Sequence, residues 1–125
     1  MDKYKAEAKQ RWGNTEAYKQ SVARTKNWTK EDYKRIGEEG LALTKQIASV
    51  MNLPVSDPKV QELIKLHHAS IAVFYSCSPE MYRGLAEMYV TDPRFTKYYE
   101  NIAPGLSQFV RDAIFHFCTE QEASG

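Results

Sequence analysis

Residues 57–82 read DPKVQELIKLHHASIAVFYSCSPEMY. Within them Val60, Leu63, Ile64, His67, Ile71, Phe74 and Tyr75 recur at the three- and four-residue spacing of one helix face. That spacing predicts a helix over about 58–76. Asp57 offers a capping carboxylate, and Pro58 suits the first helical position, where a missing N–H costs nothing. Ser78-Pro79 repeats the device and opens a second helix over about 79–90. The stretch reads helix, short turn, helix.

Working outward, the same signals recur. Asp92-Pro93 starts a short helix over about 93–101, with Phe95 and Tyr98 as apolar positions. Pro104 suits the start of a last helix over about 104–120, with Leu106, Phe109, Val110, Ala113, Ile114 and Phe117. Upstream, Thr29 is an N-cap with Asp32 three residues on, and Trp28 and Tyr33 are placed as a hydrophobic staple. This helix is expected to run to about Met51. Gly37 and Gly40 inside it each cost about 1 kcal/mol relative to alanine, which points to close helix packing or a bend. Two shorter helices, 4–12 and 16–26, precede it, separated by Gly13. No alternating run is long enough for a convincing strand. The expectation is an all-α bundle of about seven helices.

The chain of 125 residues suits one domain. The loop at 52–58 divides a polar N-terminal part, 1–52, from a more apolar C-terminal part, 57–120. Residues 1–27 hold few large apolar side chains, and short helices with little to bury are marginal alone. Weak order there, or order gained only with a ligand, is the expectation. A net charge of +1 lacks the basic excess of a nucleic-acid-gripping domain, so direct DNA contact is not expected. No apolar run approaches a membrane span, and no secretion signal precedes the two cysteines. A cytoplasmic protein with free thiols is the simplest reading.

The reactive-looking residues do not assemble into chemistry. Adjacent His67 and His68 diverge by about 100° on a helix and do not easily share one ion. No His-x-x-x-His, Glu-x-x-His or CxxC spacing is present, so neither a metal site nor a cofactor is expected. Cys77 precedes a helix start, where a thiol pKa can fall. No third orienting residue and no oxyanion loop accompany it, so an enzyme is not expected. The aromatic set is more telling. Phe74, Tyr75, Tyr82, Tyr89, Phe95, Tyr98 and Tyr99 crowd a short span. A core rarely takes tyrosine where leucine would do, because the hydroxyl needs a partner. With Met81 and Met88, this excess suits an adaptable cleft for a large semi-polar ligand.

Three stretches, RWGNTEAYKQS (11–21), SPEMYRGLAEMYVTDPRF (78–95) and PGLSQFVRDAI (104–114), resemble the TipAS domain, the drug-recognition domain at the C-terminus of some MerR-type transcription regulators. The resemblance covers about Tyr4 to Phe117. It implies a globin-like, all-helical fold without haem, whose N-terminal part orders when ligand binds. It also implies recognition of bulky natural-product antibiotics, notably thiopeptides, either as the sensor of a transcription activator or by sequestering the drug. Trp12 matches the family's Trp-Gly pair with Gly13, His67 a histidine ahead of the aromatic pair, and Phe74-Tyr75 that pair. Cys77, Met81 and Tyr82 lie in the matching helix turn. With Tyr89, Tyr98 and Phe109 these form the expected ligand-contacting set. Gly84 stands where thiopeptide receptors carry a second, reactive cysteine, so covalent capture by that thiol is not implied. DNA would be reached only through a MerR-type N-terminal domain, which is not in this sequence. The rival readings are a haem or gas sensor using His67 and a protein–protein interaction module.

Overall fold

The computed structural model describes residues 16–124. Among them are six helices and no strand: α1 (Glu16–Thr25), α2 (Lys30–Ala48), α3 (Pro58–Ala72), α4 (Pro79–Thr91), α5 (Pro93–Ile102) and α6 (Leu106–Ser124). The helix expected over 4–12 lies outside the described residues.

Local chemistry sets most of the starts. The Thr29 side chain accepts from the Asp32 N–H, and the Asp32 carboxylate accepts from the Thr29 N–H at 2.8 Å. This is a closed capping box. The Trp28 and Tyr33 rings meet at 5.2 Å, completing the staple. Asp57, Ser78 and Asp92 cap α3, α4 and α5 through their side chains, each followed by proline in the first turn.

Four boundaries differ by two or more residues from the periodic pattern, among them the end of α6, which runs on to Ser124 instead of stopping near 120. Helix α2 ends at Ala48, and residues 49–53 continue as tight turns, with Val50 and Leu53 donating to carbonyls three residues back. Helix α3 ends at Ala72, four residues early. There the Ser76 N–H donates to the Gln20 side chain at 2.8 Å, and the carbonyl of Cys77 accepts from His68 Nε2 at 2.8 Å. These tertiary bonds draw residues 73–78 off the helix axis. Helix α6 starts at Leu106, not Pro104. Leu106 N–H donates to Ala103 and Gly105 sits at φ +85°. Pro104 and Gly105 thus occupy the two centre positions of a type II turn, whose second centre requires a positive φ.

Helices α4 and α6 form the closest pair, and α3 and α5 also pack on α6. Tyr82, Ala86, Val110, Ala113, Ile114 and Cys118 are buried between them. The outer edge is clasped by ion pairs, Arg83 with Glu122 and Arg111 with Glu87 at 2.8 Å. Helix α2 adds Thr44 and Ile47 to the same core. The expectation of close packing at its glycines does not hold: a Cβ built on Gly37 or Gly40 meets nothing within 4 Å.

Candidate ligand-binding cleft

Where α2, α3, α4 and α5 converge they leave a cleft of about 260 Å³. Ile36 and Gly40 come from α2, Ser70 and Ile71 from α3, Leu85 and Tyr89 from α4, and Phe95 from α5. Phe74 and Tyr75 come from the connection between α3 and α4. The early end of α3 is what delivers them, because both side chains project from a turn at the helix end.

The lining has no charged side chain. Its lining side chains that carry a polar group are those of Ser70, Tyr75 and Tyr89. Ser70 donates to the His67 carbonyl at 2.6 Å, leaving its oxygen as an acceptor. Burial pushes the Tyr75 hydroxyl up to about 12 and the Tyr89 hydroxyl higher still, so both are protonated across the physiological range. The Tyr89 ring contacts those of Tyr99 at 5.0 Å and Phe95 at 5.7 Å. Trp28 braces the Phe74 ring from outside at 5.3 Å.

Of the ligand-contacting set expected from the sequence, the cleft unites Phe74, Tyr75 and Tyr89. His67 and Tyr82 sit behind it in the core, 8% and 0% exposed. They face each other at 2.6 Å through Nδ1 and the hydroxyl, and the Tyr82 hydroxyl donates on to the Ile64 carbonyl at 3.3 Å. Burial, with His68 nearby, lowers the His67 imidazole to about 4, so it is neutral near pH 7. Cys77 is buried and its thiol is pushed up to about 11 by burial. Met81 and Tyr98 are exposed, and Phe109 packs half-buried against the core. None of these six lines the cleft. Trp12 lies outside the described residues. No group of three or more His, Cys, Asp or Glu among the described residues could hold a metal ion. Among them, no helix is long and apolar enough to cross a membrane.

The sequence places Ile71 on a helix face and Phe95 among the crowded aromatics, and both line the cleft, with Ile36 and Leu85 beside them. The sequence leaves Ser70 unremarked. Gly40 is visible in the sequence as a mid-helix glycine, but only the structure shows that it faces open space rather than a packed helix.

The family profile described as the TipAS antibiotic-recognition domain matches residues 4–117. The chain belongs to the TipAS domain family. This TipAS domain is 40% identical over 116 residues to the HTH-type transcriptional activator TipA of Streptomyces coelicolor, a match covering 90% of the chain and 46% of the relative. It is 30% identical over 120 residues to the HTH-type transcriptional activator mta of Bacillus subtilis, covering 95% of the chain and 46% of that relative. The chain thus spans about half the length of the curated relatives it matches. Among solved structures it is similar to TipAS of a thiopeptide antibiotic multidrug resistance system from Streptomyces lividans, in complex with nosiheptide. That match has a TM-score of 0.86 at 38% identity, covering 96% of this chain and 86% of that one. The helices therefore share the globin-like arrangement of that domain.

Proposed function

We infer that this TipAS domain is a drug-binding effector module that holds large, neutral, multi-ring antibiotics of the thiopeptide type against the α2–α5 cleft. The observation that carries this is the cleft itself: aromatic and aliphatic walls, three hydroxyls, and no charge. Such a site rewards flat apolar rings carrying a few acceptors and penalises ions, whose desolvation nothing would offset. The likeness to a TipAS solved with nosiheptide supports the same class of ligand.

At about 260 Å³ the cleft lies below the roughly 300–1,000 Å³ of drug-sized pockets. It would anchor one ring system of a macrocycle, with the remainder lying against the exposed apolar side chains of Tyr33 and Leu41 on α2 and against the N-terminal part. Within the 1–52 part, Thr44 and Ile47 already belong to the core, so they take no part in closure over the ligand. Ordering any segment over the ligand would cost about 1–2 kcal/mol per residue, and burial returns about 25 cal/mol per Å² of apolar area. Only a bulky ligand offsets such a cost, which argues against a small metabolite.

In its cellular setting the domain would act in the cytoplasm, as the sensor of a MerR-type activator or as a freestanding antibiotic-sequestering protein. Binding rather than catalysis fits the buried, weakly acidic thiols. The haem reading is disfavoured by the position of His67, packed between the Tyr82 and Tyr89 rings rather than facing the cleft. Calorimetry with nosiheptide tests the proposal: tight binding with a large negative heat-capacity change is expected. An unchanged melting temperature across a thiopeptide panel would refute it.

A further inference from the structure

Gly40 lies in the middle of α2, ten residues from its start, where glycine weakens a helix. The common reason to keep glycine there is another backbone or side chain pressed against it. That reason is absent, because a Cβ at Gly40 would meet nothing within 4 Å. What lies over Gly40 is the cleft, of which it forms part of the wall. One turn earlier on the same helix, Gly37 has equally open surroundings but is exposed and does not line the cleft. The two glycines thus share helix and freedom from contact, and differ in whether a side chain would enter the cleft.

We propose that Gly40 is the size-determining residue of the cleft: its missing side chain leaves the α2 wall as bare backbone, against which a flat ring of the ligand lies. The proposal rests on the reading of the cleft as the antibiotic site. The neighbouring geometry agrees with it. The Gly40 carbonyl accepts from the Thr44 hydroxyl at 2.8 Å, so its oxygen is already engaged within the helix and does not ask for a polar ligand group. Opposite Gly40 the walls are fixed by larger groups, Phe74 braced by Trp28 and Tyr89 held by Tyr99. A side chain at position 40 would therefore consume cleft volume that no other wall can yield. The ligand class that needs this opening is a neutral aromatic or thiazole-like ring system, thin enough to lie on backbone and too wide to turn beside a leucine.

The test compares the full chain with Gly40→Ala, Gly40→Leu and Gly37→Leu. Each is assayed by thermal unfolding, by titration with nosiheptide, and by NMR under xenon pressure, since xenon enters apolar cavities. Gly40→Leu is expected to lose at least tenfold in nosiheptide affinity, with Gly40→Ala between it and the parent. Gly37→Leu should bind within twofold of the parent. All three should melt at or above the parent temperature. Xenon should shift the methyl signals of Ile36, Ile71 and Leu85 in the parent and in Gly37→Leu, but not in Gly40→Leu. Equal losses at positions 37 and 40, a Gly40→Leu cleft that still takes up xenon, or a lower melting temperature for Gly40→Leu than for Gly37→Leu would each overturn the proposal. A parent chain that takes up xenon but not nosiheptide would refute the antibiotic reading, while the xenon comparison still decides the role of Gly40.

Discussion

The Tyr82 hydroxyl lies 2.6 Å from Nδ1 of His67, with both residues in the core behind the cleft. With Nδ1–H donating to the tyrosine oxygen, the Tyr82 hydroxyl donates on to the Ile64 carbonyl at 3.3 Å, so α4 is hydrogen-bonded into α3 through one oxygen. Tyr82→Phe keeps the ring and removes that oxygen, leaving a buried imidazole N–H without its acceptor. The expected loss is about 1–3 kcal/mol in chemical denaturation. A variant as stable as the parent would show that the bond contributes nothing.

The same burial makes His67 a source of acid sensitivity. Its folded-state value is about 4 against an ordinary 6.5, so the folded protein resists a proton that the unfolded chain accepts. The stabilisation is complete above pH 6.5 and is lost progressively as pH falls toward 4, amounting to about 3 kcal/mol across the window. His67→Gln should flatten the stability profile between pH 6.5 and 4.5. If parent and variant lose stability in parallel over that interval, the assignment to His67 fails.

Local signals made the helix starts legible, and tertiary ones hid the ends. Thr29 with Asp32, and the prolines at 58, 79 and 93, act within their own turns, so reading the chain was enough. Pro104 carries the same preference for φ, but a type II turn uses it as readily as a helix start, and only Gly105 at positive φ separates the two. The end of α3 depends on Gln20, which reaches Ser76 from 56 residues away in sequence. The cleft was half legible for a related reason. Helical spacing placed His67, Ile71, Phe74 and Tyr75 on one face, yet spacing does not tell whether a position on that face meets another helix or open space. Ile71, Phe74 and Tyr75 meet the cleft, whereas His67 meets Tyr82.

Glu100 caps a helix to which it does not belong. Its carboxylate, on α5, accepts from Gly105 N–H at 2.8 Å and from Ser107 N–H at 3.0 Å, at the start of α6. Those bonds hold its pKa below the usual glutamate range. A depressed carboxylate stabilises above its unfolded value and loses that contribution as pH falls through the folded one. Glu100→Gln should lower the melting temperature at pH 7 more than the exposed control Glu38→Gln, and the difference should shrink steadily as pH falls below the ordinary glutamate value. A difference independent of pH would assign the effect to packing.

The thiols should behave as core groups. Cys77 is buried with its acidity suppressed to about 11, and Cys118 is buried with its value raised by the same cause. Reaction requires the thiolate, which is scarce at pH 8 for such groups. Ellman's reagent should therefore label the native chain slowly and both cysteines promptly after denaturation. Rapid native labelling of Cys77 would reopen it as a nucleophile.

Helix α1 grips the cleft wall through polar bonds. Gln20 accepts from the Ser76 N–H at 2.8 Å, while Arg24 donates to the Ala72 carbonyl at 2.7 Å and to the Ser76 hydroxyl at 3.4 Å. Both residues hold the segment that carries Phe74 and Tyr75, so the docking of α1 and the shape of the cleft share one support. Arg24→Ala with Gln20→Ala should raise amide exchange in α1 severalfold while α4 and α6 keep their protection, because the core does not use these bonds. If closure over the ligand runs through this grip, the double variant should also release nosiheptide faster with little change in association rate, since contacts made late in closure govern escape more than encounter. Unchanged exchange in α1 would mean that the helix is held by something other than these side chains. Faster exchange with an unaltered release rate would separate α1 from the binding cycle.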